Sequence, residues 1–312
     1  MTQSATFRPK RVLVHVDTTS DRRPALTRAL HLARSSRPSV RFVDVLEPAP
    51  RHSPKGEALE QLLRTTMKER LKEAATVARR RGVRTTFDLL EGDTATMLIR
   101  ASIEWRADLL LRSHGVSQTR ARRPIGPVDS QLLRRCPCPV WFVTPRQADG
   151  ETVVVAAVDP DPADPPRHEL SVRVVRAAMA VSASTGASLH LVHAWSAYGH
   201  QVLASHGSQQ DVVGYVKACR EGARARFDSL IEDTEALAAD THFIQGESDR
   251  VLSRFIERRR TSLVVLGTVA RTGLAGLVVG NTAERVLRTV HCSVLALKPA
   301  GFAEAMVEKP GT

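Results

Sequence analysis

The sequence predicts an α/β protein: two doubly wound, five-stranded parallel sheets in tandem. Three observations lead there. The chain repeats itself, short apolar runs alternate with long amphipathic segments, and several of those runs are apolar throughout. A strand apolar on both faces must be buried on both, as in a parallel sheet covered by helices. Right-handed crossovers then wind each sheet in two directions from its middle.

The repeat is the firmest of the three. Residues 91–145, moved forward by 154, fall on 245–299 without a gap, with about a dozen identities. Gly92 meets Gly246, Leu98 meets Leu252, Gly126 meets Gly280, Leu133 meets Leu287 and Cys138 meets Cys292. Similar strands open the halves, ending at Asp17 and Asp159. The boundary falls near Gly150, giving domains at 8–147 and 151–300 and a tail at 301–312. At 312 residues, each half has enough chain for its own core.

In order, the first half reads strand 11–17, helix 22–36, strand 40–46, helix 55–81, strand 83–89, helix 93–105, strand 108–112, helix 128–135 and strand 139–144. Gly82, after three arginines, stops the long second helix. The second half repeats the order, with strands near 152–158, 187–195, 240–244, 262–267 and 293–298 and helices between.

Composition narrows the function. Hydrophobic residues make up 42% and charged residues 25%, as in ordinary globular proteins. No apolar run approaches the ~20 residues of a membrane span. Residues 1–10 lack the apolar stretch of a secretory signal, so a cytoplasmic location is expected. Four cysteines are too few for a disulfide framework. Net charge is +12, and it sits in one half: residues 1–150 hold 28 Lys and Arg against 15 Asp and Glu, residues 151–312 hold 17 against 18. That asymmetry admits non-specific polyanion contact through the first half, with a solvated face as the plainer alternative. With 13 aromatic residues, a stacking platform for single strands is not expected.

Ligands of doubly wound folds bind at the carboxyl ends of the strands, where the winding reverses. After its fourth strand the second half reads Gly267-Thr-Val-Ala270-Arg-Thr-Gly273-Leu-Ala-Gly276-Leu-Val-Val-Gly280-Asn281-Thr282. A glycine-rich loop running into a helix start is an anion site, because backbone N–H groups converge there and the helix dipole favours negative charge. This loop resembles the signature of the universal stress protein family, Gly-x2-Gly-9x-Gly-(Ser/Thr), in which it wraps the ribose and phosphates of ATP. Gly267 and Gly280 keep the spacing; Ala270 replaces the second glycine, and Asn281 replaces the hydroxyl residue that Thr282 then supplies. The tandem branch of that family also shares the first-half stretch Gln131-Leu-Leu-Arg-Arg-Cys136-Pro-Cys138-Pro-Val140 and the ending Ala296-Leu-Lys-Pro299. The resemblance covers essentially residues 10–300.

That resemblance implies a fold of Rossmann-like halves, with strands 139–144 and 293–298 paired across them as a pseudo-dimer. It implies a stress-response protein of the cytoplasm, including resistance to DNA-damaging agents, and a nucleotide site at Asp159, Gly267, Ala270, Gly280, Asn281 and Thr282. Weak ATP, or another anionic small ligand, is the expected ligand. In the first half Ser113, Val116, Gly126 and Pro127 occupy the corresponding loop, with Arg120, Arg122 and Arg123. Lost glycines and a lost N–H remove donors, so this half is not expected to hold ATP in the family's manner. Whether the chain forms homo-oligomers is left open.

Other constellations fall to plainer readings. Asp17 and Asp159 serve equally as turn or capping carboxylates. The stretch Asp159-Pro-Asp161-Pro-Ala-Asp164 lacks the spacing of a calcium loop and reads as an exposed turn. Cys136 and Cys138 read as core packing, with a metal or redox role the weaker alternative. His190 and His193, three apart on one strand, face opposite sides and share no metal. Ser113-His114 has no nucleophile elbow. Nothing names a general acid, base or nucleophile. The sequence therefore predicts a non-enzymatic regulatory protein; the alternatives are an ATP-binding switch in the second domain and a polyanion-associated protein acting through the first.

Overall fold

The computed structural model describes residues 7–18, 23–48, 54–114, 126–145, 152–199, 205, 208–268 and 281–302, apart from the side chains of residues 35, 54, 55, 281 and 282. The first half runs β1 (Arg11–His15), α1 (Pro24–Ser36), β2 (Ser39–Leu46), α2 (Pro54–Arg80), β3 (Thr85–Glu91), α3 (Thr94–Glu104), β4 (Leu109–Ser113), α4 (Pro127–Arg135) and β5 (Val140–Val143). The second runs β6 (Val153–Val158), α5 (Pro165–Thr185), β7 (Ser188–Trp195), α6 (Gln209–Thr234), β8 (Asp240–Gln245), α7 (Ser248–Arg258), β9 (Leu263–Gly267), α8 (Asn281–Thr289) and β10 (Ser293–Leu297).

Strand order is β3-β2-β1-β4-β5-β10-β9-β6-β7-β8. Each half is therefore the expected five-stranded parallel sheet, with the same internal order in both. Antiparallel pairing of β5 with β10 joins them into one ten-stranded sheet, as the family resemblance implies. Trp141 lies opposite Leu295, its own partner in the repeat, so a pseudo-two-fold axis passes between them. All four residues of β5 and all five of β10 are buried, and an apolar edge of that kind invites pairing.

Alternation along the strands divides the interior into two layers. Val12 and Val14 face the cluster under α1, α2, α5 and α6; Leu13 faces the cluster under α3, α4, α7 and α8. Both clusters run continuously across the joint between the halves.

Local signals set the ends. Gly82, at φ +75°, supplies the left-handed residue that stops α2. Asp164 accepts from the Arg167 N–H and caps α5, whose first turn begins with Pro165. The turn read at residues 159–164 is thus a helix cap. The strand expected at 83–89 lies two residues later, because Val83 still closes the helix end by donating to the Ala78 carbonyl.

Candidate functional site at the carboxyl ends of the strands

In each half the winding reverses between the first and fourth strands: β1 beside β4, and β6 beside β9. Register places His15 of β1 directly opposite Arg112 of β4. The Arg112 Nη1 donates to His15 Nδ1 at 2.8 Å. A guanidinium only donates, so Nδ1 must be the acceptor and His15 the neutral tautomer with its proton on Nε2. That Nε2–H points at Asp44 Oδ1, 3.2 Å away. Asp44 also accepts from the Thr18 N–H at 2.9 Å and the Thr18 hydroxyl at 2.6 Å.

Arg112 reaches on to α4, where its Nε donates to Asp129 Oδ1 at 2.5 Å. The other oxygen of Asp129 accepts from His114 Nδ1 at 2.8 Å. His15, Asp44, His114 and Asp129 are all buried. Burial raises the pKa of both carboxyls. Hydrogen bonds from His15 and Thr18 outweigh it at Asp44, and His114 with the Arg112 charge outweigh it at Asp129, leaving both below the ordinary range. The place where a doubly wound fold takes its ligand is here occupied by the protein's own buried, mutually bonded side chains. The sequence reading passed over this network. Its signal was a His and an Arg inside the apolar runs VLVHV and LLLRS.

The second half carries no such network. At the matching positions stand Ala157, His193, Leu266, Thr268 and Ala283. His193 Nδ1 donates to the Val158 carbonyl at 3.0 Å, and its Nε2 is buried without a protein partner. Phe227 and Phe243 flank that ring at 5.6 and 5.9 Å. His190 faces the other layer, against His242 and Phe255.

Asp159, just past β6, forms an ion pair with Arg167 of α5, which also reaches Asp161 at 3.5 Å. Gly267 ends β9. A Cβ there would lie 2.5 Å from Leu170 Cδ2 and 2.8 Å from Leu170 Cγ, so glycine is needed for the close approach of α5. Asn281 and Thr282 open α8, whose first-turn N–H groups face the same end of the sheet. Ala270 and Gly280 lie outside the described residues, as do Val116, Arg120, Arg122 and Arg123 of the first half. Ser113, which takes the place of Gly267, accepts from the Ala25 N–H at 3.3 Å and so caps α1.

The opposite edge of the first half is strongly basic. Asp108 accepts from the Lys10 and Arg11 N–H groups at 2.8 and 3.0 Å, Ser39 donates to the Lys10 carbonyl, and Val40 to the Arg84 carbonyl. These bonds draw the amino ends of β1–β4 together. Arg79, Arg80, Arg81 and Arg84 are exposed there, with Arg37 and Arg106. Arg37 and Arg106 hold left-handed backbone, at φ +47° and +50°. Among the described residues no group of three His, Cys, Asp or Glu is placed to hold a metal ion. Among them, too, no helix is long and apolar enough to cross a membrane.

Comparison with known proteins agrees with this two-fold architecture. The sequence model of the universal stress protein family matches residues 9–144 and again 148–298. The chain belongs to the universal stress protein family. Among curated members it is similar to universal stress protein E of Photorhabdus laumondii, 29% identical over 207 residues, 66% of each chain. Universal stress protein E of Escherichia coli K12 is 29% identical over 174 residues, 55% of each chain. The matched stretch thus spans between about half and two thirds of these relatives. Among solved structures, a functionally unknown protein from Pseudomonas aeruginosa PAO1 superposes with a TM-score of 0.74 at 22% identity, covering 96% of both chains. A universal stress protein from Archaeoglobus fulgidus gives 0.65 at 16% identity, covering 94% of this chain and 99% of that one. The tandem universal stress protein fold therefore extends over both halves.

Proposed function

We propose that the protein is a non-enzymatic, cytoplasmic stress-response regulator whose second half alone takes an anionic small ligand of the adenine-nucleotide class. The observation that carries this reading is the asymmetry between the halves. The first half fills its switch point with the Arg112–Asp129 ion pair and the hydrogen bonds that His15, Asp44 and His114 make around it. The second has uncharged residues there, beside Asp159, Gly267 and the start of α8. Ala270 stands where the family carries glycine; if that position needs a left-handed backbone, its Cβ costs ~1–2 kcal/mol, about tenfold in affinity. Resistance to DNA-damaging agents belongs to the same reading, and survival of a deletion strain under such agents tests it. Titration calorimetry with ATP tests the ligand. Weak binding, strengthened by Ala270→Gly with Asn281→Ser and removed by Gly280→Asp, is expected. Submicromolar binding, or binding that persists after loss of Gly280, would show the reading of the loop to be wrong.

A second reading rests on the basic edge. Guanidinium groups there match phosphate geometry, and scarce aromatics favour a duplex backbone over single strands. The expected DNA affinity is sequence-independent and falls steeply with salt. Loss of that retention in Arg80→Glu/Arg81→Glu/Arg84→Glu supports it; no retention at low salt rejects it.

A further inference from the structure

Cys136, Cys138 and Lys298 form a buried cluster where the halves meet. Cys136 closes α4, Cys138 leads towards β5, and the chain bends at Pro137 and Cys138. The two Sγ atoms lie 3.7 Å apart. Cys136 is fully buried and Cys138 is 5% exposed. Lys298 arrives from the other half: it follows β10, and the antiparallel pairing with β5 lays it over the end of α4. It is 1% exposed, donates to the Leu133 carbonyl, and sits 4.8 Å from the Phe302 ring centroid. Matching positions on the other side of the joint are Val290, Cys292 and Thr144, with neither a second thiol nor an amine.

A buried ammonium needs a counter-charge. The groups that can supply it here are the two neighbouring thiols, of which Cys136 is the one to ionise. Burial lowers the Lys298 pKa to about 8, against the pull of those thiols. Burial raises Cys136, but the Cys138 hydrogen bond and the Lys298 charge outweigh it and leave Cys136 below the ordinary thiol value. Cys138 is pushed the other way, first by its bond to Cys136 and then by burial, and keeps its proton. Cys292, buried without such partners, is pushed up to about 12. One thiol is thus prepared as nucleophile, and a second waits beside it with its proton.

We propose that Cys136 and Cys138 are an oxidation site, at which hydrogen peroxide converts the pair into an intramolecular disulfide. The Cys136 thiolate attacks one peroxide oxygen, the O–O bond breaks, and the departing hydroxide takes a proton from the Lys298 ammonium and leaves as water. Cys136 is then a sulfenic acid. Cys138 attacks its sulfur, the S–O bond breaks, and the Cys138 proton leaves with the hydroxyl as a second water. Two thiols have given two electrons to one peroxide. The turn at residues 299–302, closed by a 3.4 Å hydrogen bond from the Phe302 N–H to the Pro299 carbonyl, sets the Phe302 ring against Lys298.

The test treats the full-length folded protein with hydrogen peroxide, blocks free thiols with iodoacetamide in denaturant, and maps tryptic peptides. Cleavage after Arg135 and Arg146 leaves both cysteines in one peptide. The expected result is that peptide about 2 Da light and unalkylated, with Cys292 fully alkylated and the change reversed by dithiothreitol. Cys138→Ser should stop at a Cys136 sulfenic acid trapped by dimedone, and Cys136→Ser should trap none. Lys298→Met should slow disulfide formation roughly tenfold, as loss of thiolate requires. Should Lys298→Met not fold, the intact protein still decides: its reaction rate must rise with pH as Cys136 loses its proton and fall again as Lys298, at about 8, loses the proton it gives to the departing hydroxide; a rate that rises without falling overturns the role of the amine. Full alkylation of Cys136 and Cys138 after treatment, or oxidation mapping to Cys219 or Cys292 instead, overturns the proposal. An unchanged rate in folded Lys298→Met overturns the role of the amine.

Discussion

Asp129 accepts from Arg112 at one oxygen and from His114 at the other, so removing Arg112 leaves a buried carboxylate half satisfied and unmasks His15 as well. Breaking a buried pair from one side costs ~3–5 kcal/mol, whereas replacing the whole set by packed apolar groups is often near neutral. The second half carries the uncharged Leu266, Thr268 and Ala283 where the first has Arg112, His114 and Asp129. Arg112→Leu alone should therefore destabilise by about 3 kcal/mol, and Arg112→Leu with Asp129→Ala and His114→Thr should recover much of it; urea unfolding at constant m-value measures both. A triple variant as unstable as the sum of its parts would refute the account. Histidines set the acid limit. Burial holds His193, His190 and His242 below the usual imidazole pKa, His193 most deeply enclosed. Each stays neutral in the fold, while the unfolded chain takes up protons near pH 6.5. Their contribution is fully present above that pH and is lost as pH falls from about 6.5 towards the lower folded values, by up to ~1.4 kcal/mol per pH unit per proton. Urea midpoints should drop between pH 7 and 5, and His193→Gln should flatten the slope. Asp44 and Asp129, held low, act further down, losing their contribution only as pH falls below about 4.

Gly267 belongs to a scale above, since its constraint is the angle at which α5 meets the end of β9. A methyl group there drives into Leu170, itself buried, and overpacking of this kind costs ~1–3 kcal/mol. Gly267→Ala should lower the melting temperature, and Leu170→Ala should relieve part of that cost in the double variant; simple additivity would count against the close-approach explanation. At this scale the sequence is most legible. Strands such as Leu263–Gly267 announce themselves because burial on both faces leaves no room for polar residues, and α2 ends where Gly82 permits a left-handed turn. Arg37, Arg106, Glu235 and Arg260 take left-handed backbone without being glycine, which propensity does not foresee. The site was legible only in outline. Strand ends and the loop spacing pointed to Asp159 and Gly267, but the Arg167 that engages Asp159 lies eight residues on, in the first turn of α5. The pairing of His15 with Arg112 depends on β1 lying beside β4, a register no single segment encodes.

Across the whole molecule, the repeat behaves as a dimer built into one chain, and its small departures from symmetry say which half could pair with itself. Trp141 faces Leu295 at the axis, with Arg28 packed 5.0 Å over the indole. Two copies of the first half would set Trp141 against Trp141, too large for a spacing that holds Trp against Leu. Two copies of the second would set Leu295 against Leu295, which fits with room to spare. The flanking helices point the same way. Arg134 donates to Glu284 at 2.6 Å, and Glu284 matches Ser130 in the repeat, as Arg288 matches Arg134. The chain therefore makes one of two symmetric bridges; paired second halves could make both, between Glu284 and Arg288, while paired first halves could make neither. Opposing this is Lys298, which each second half would bury without Cys136. Its pKa of about 8 in the intact chain already records the cost of burying that charge. Residues 151–300 expressed alone should thus form a weak dimer at pH 7 that tightens towards pH 9, as deprotonation removes the buried charge. Residues 8–147 alone should remain monomeric or aggregate through the uncovered β5 edge. Sedimentation equilibrium at the two pH values distinguishes these outcomes, and a well-behaved dimer of the first half would mean that the Trp141–Leu295 contact does not set the pairing.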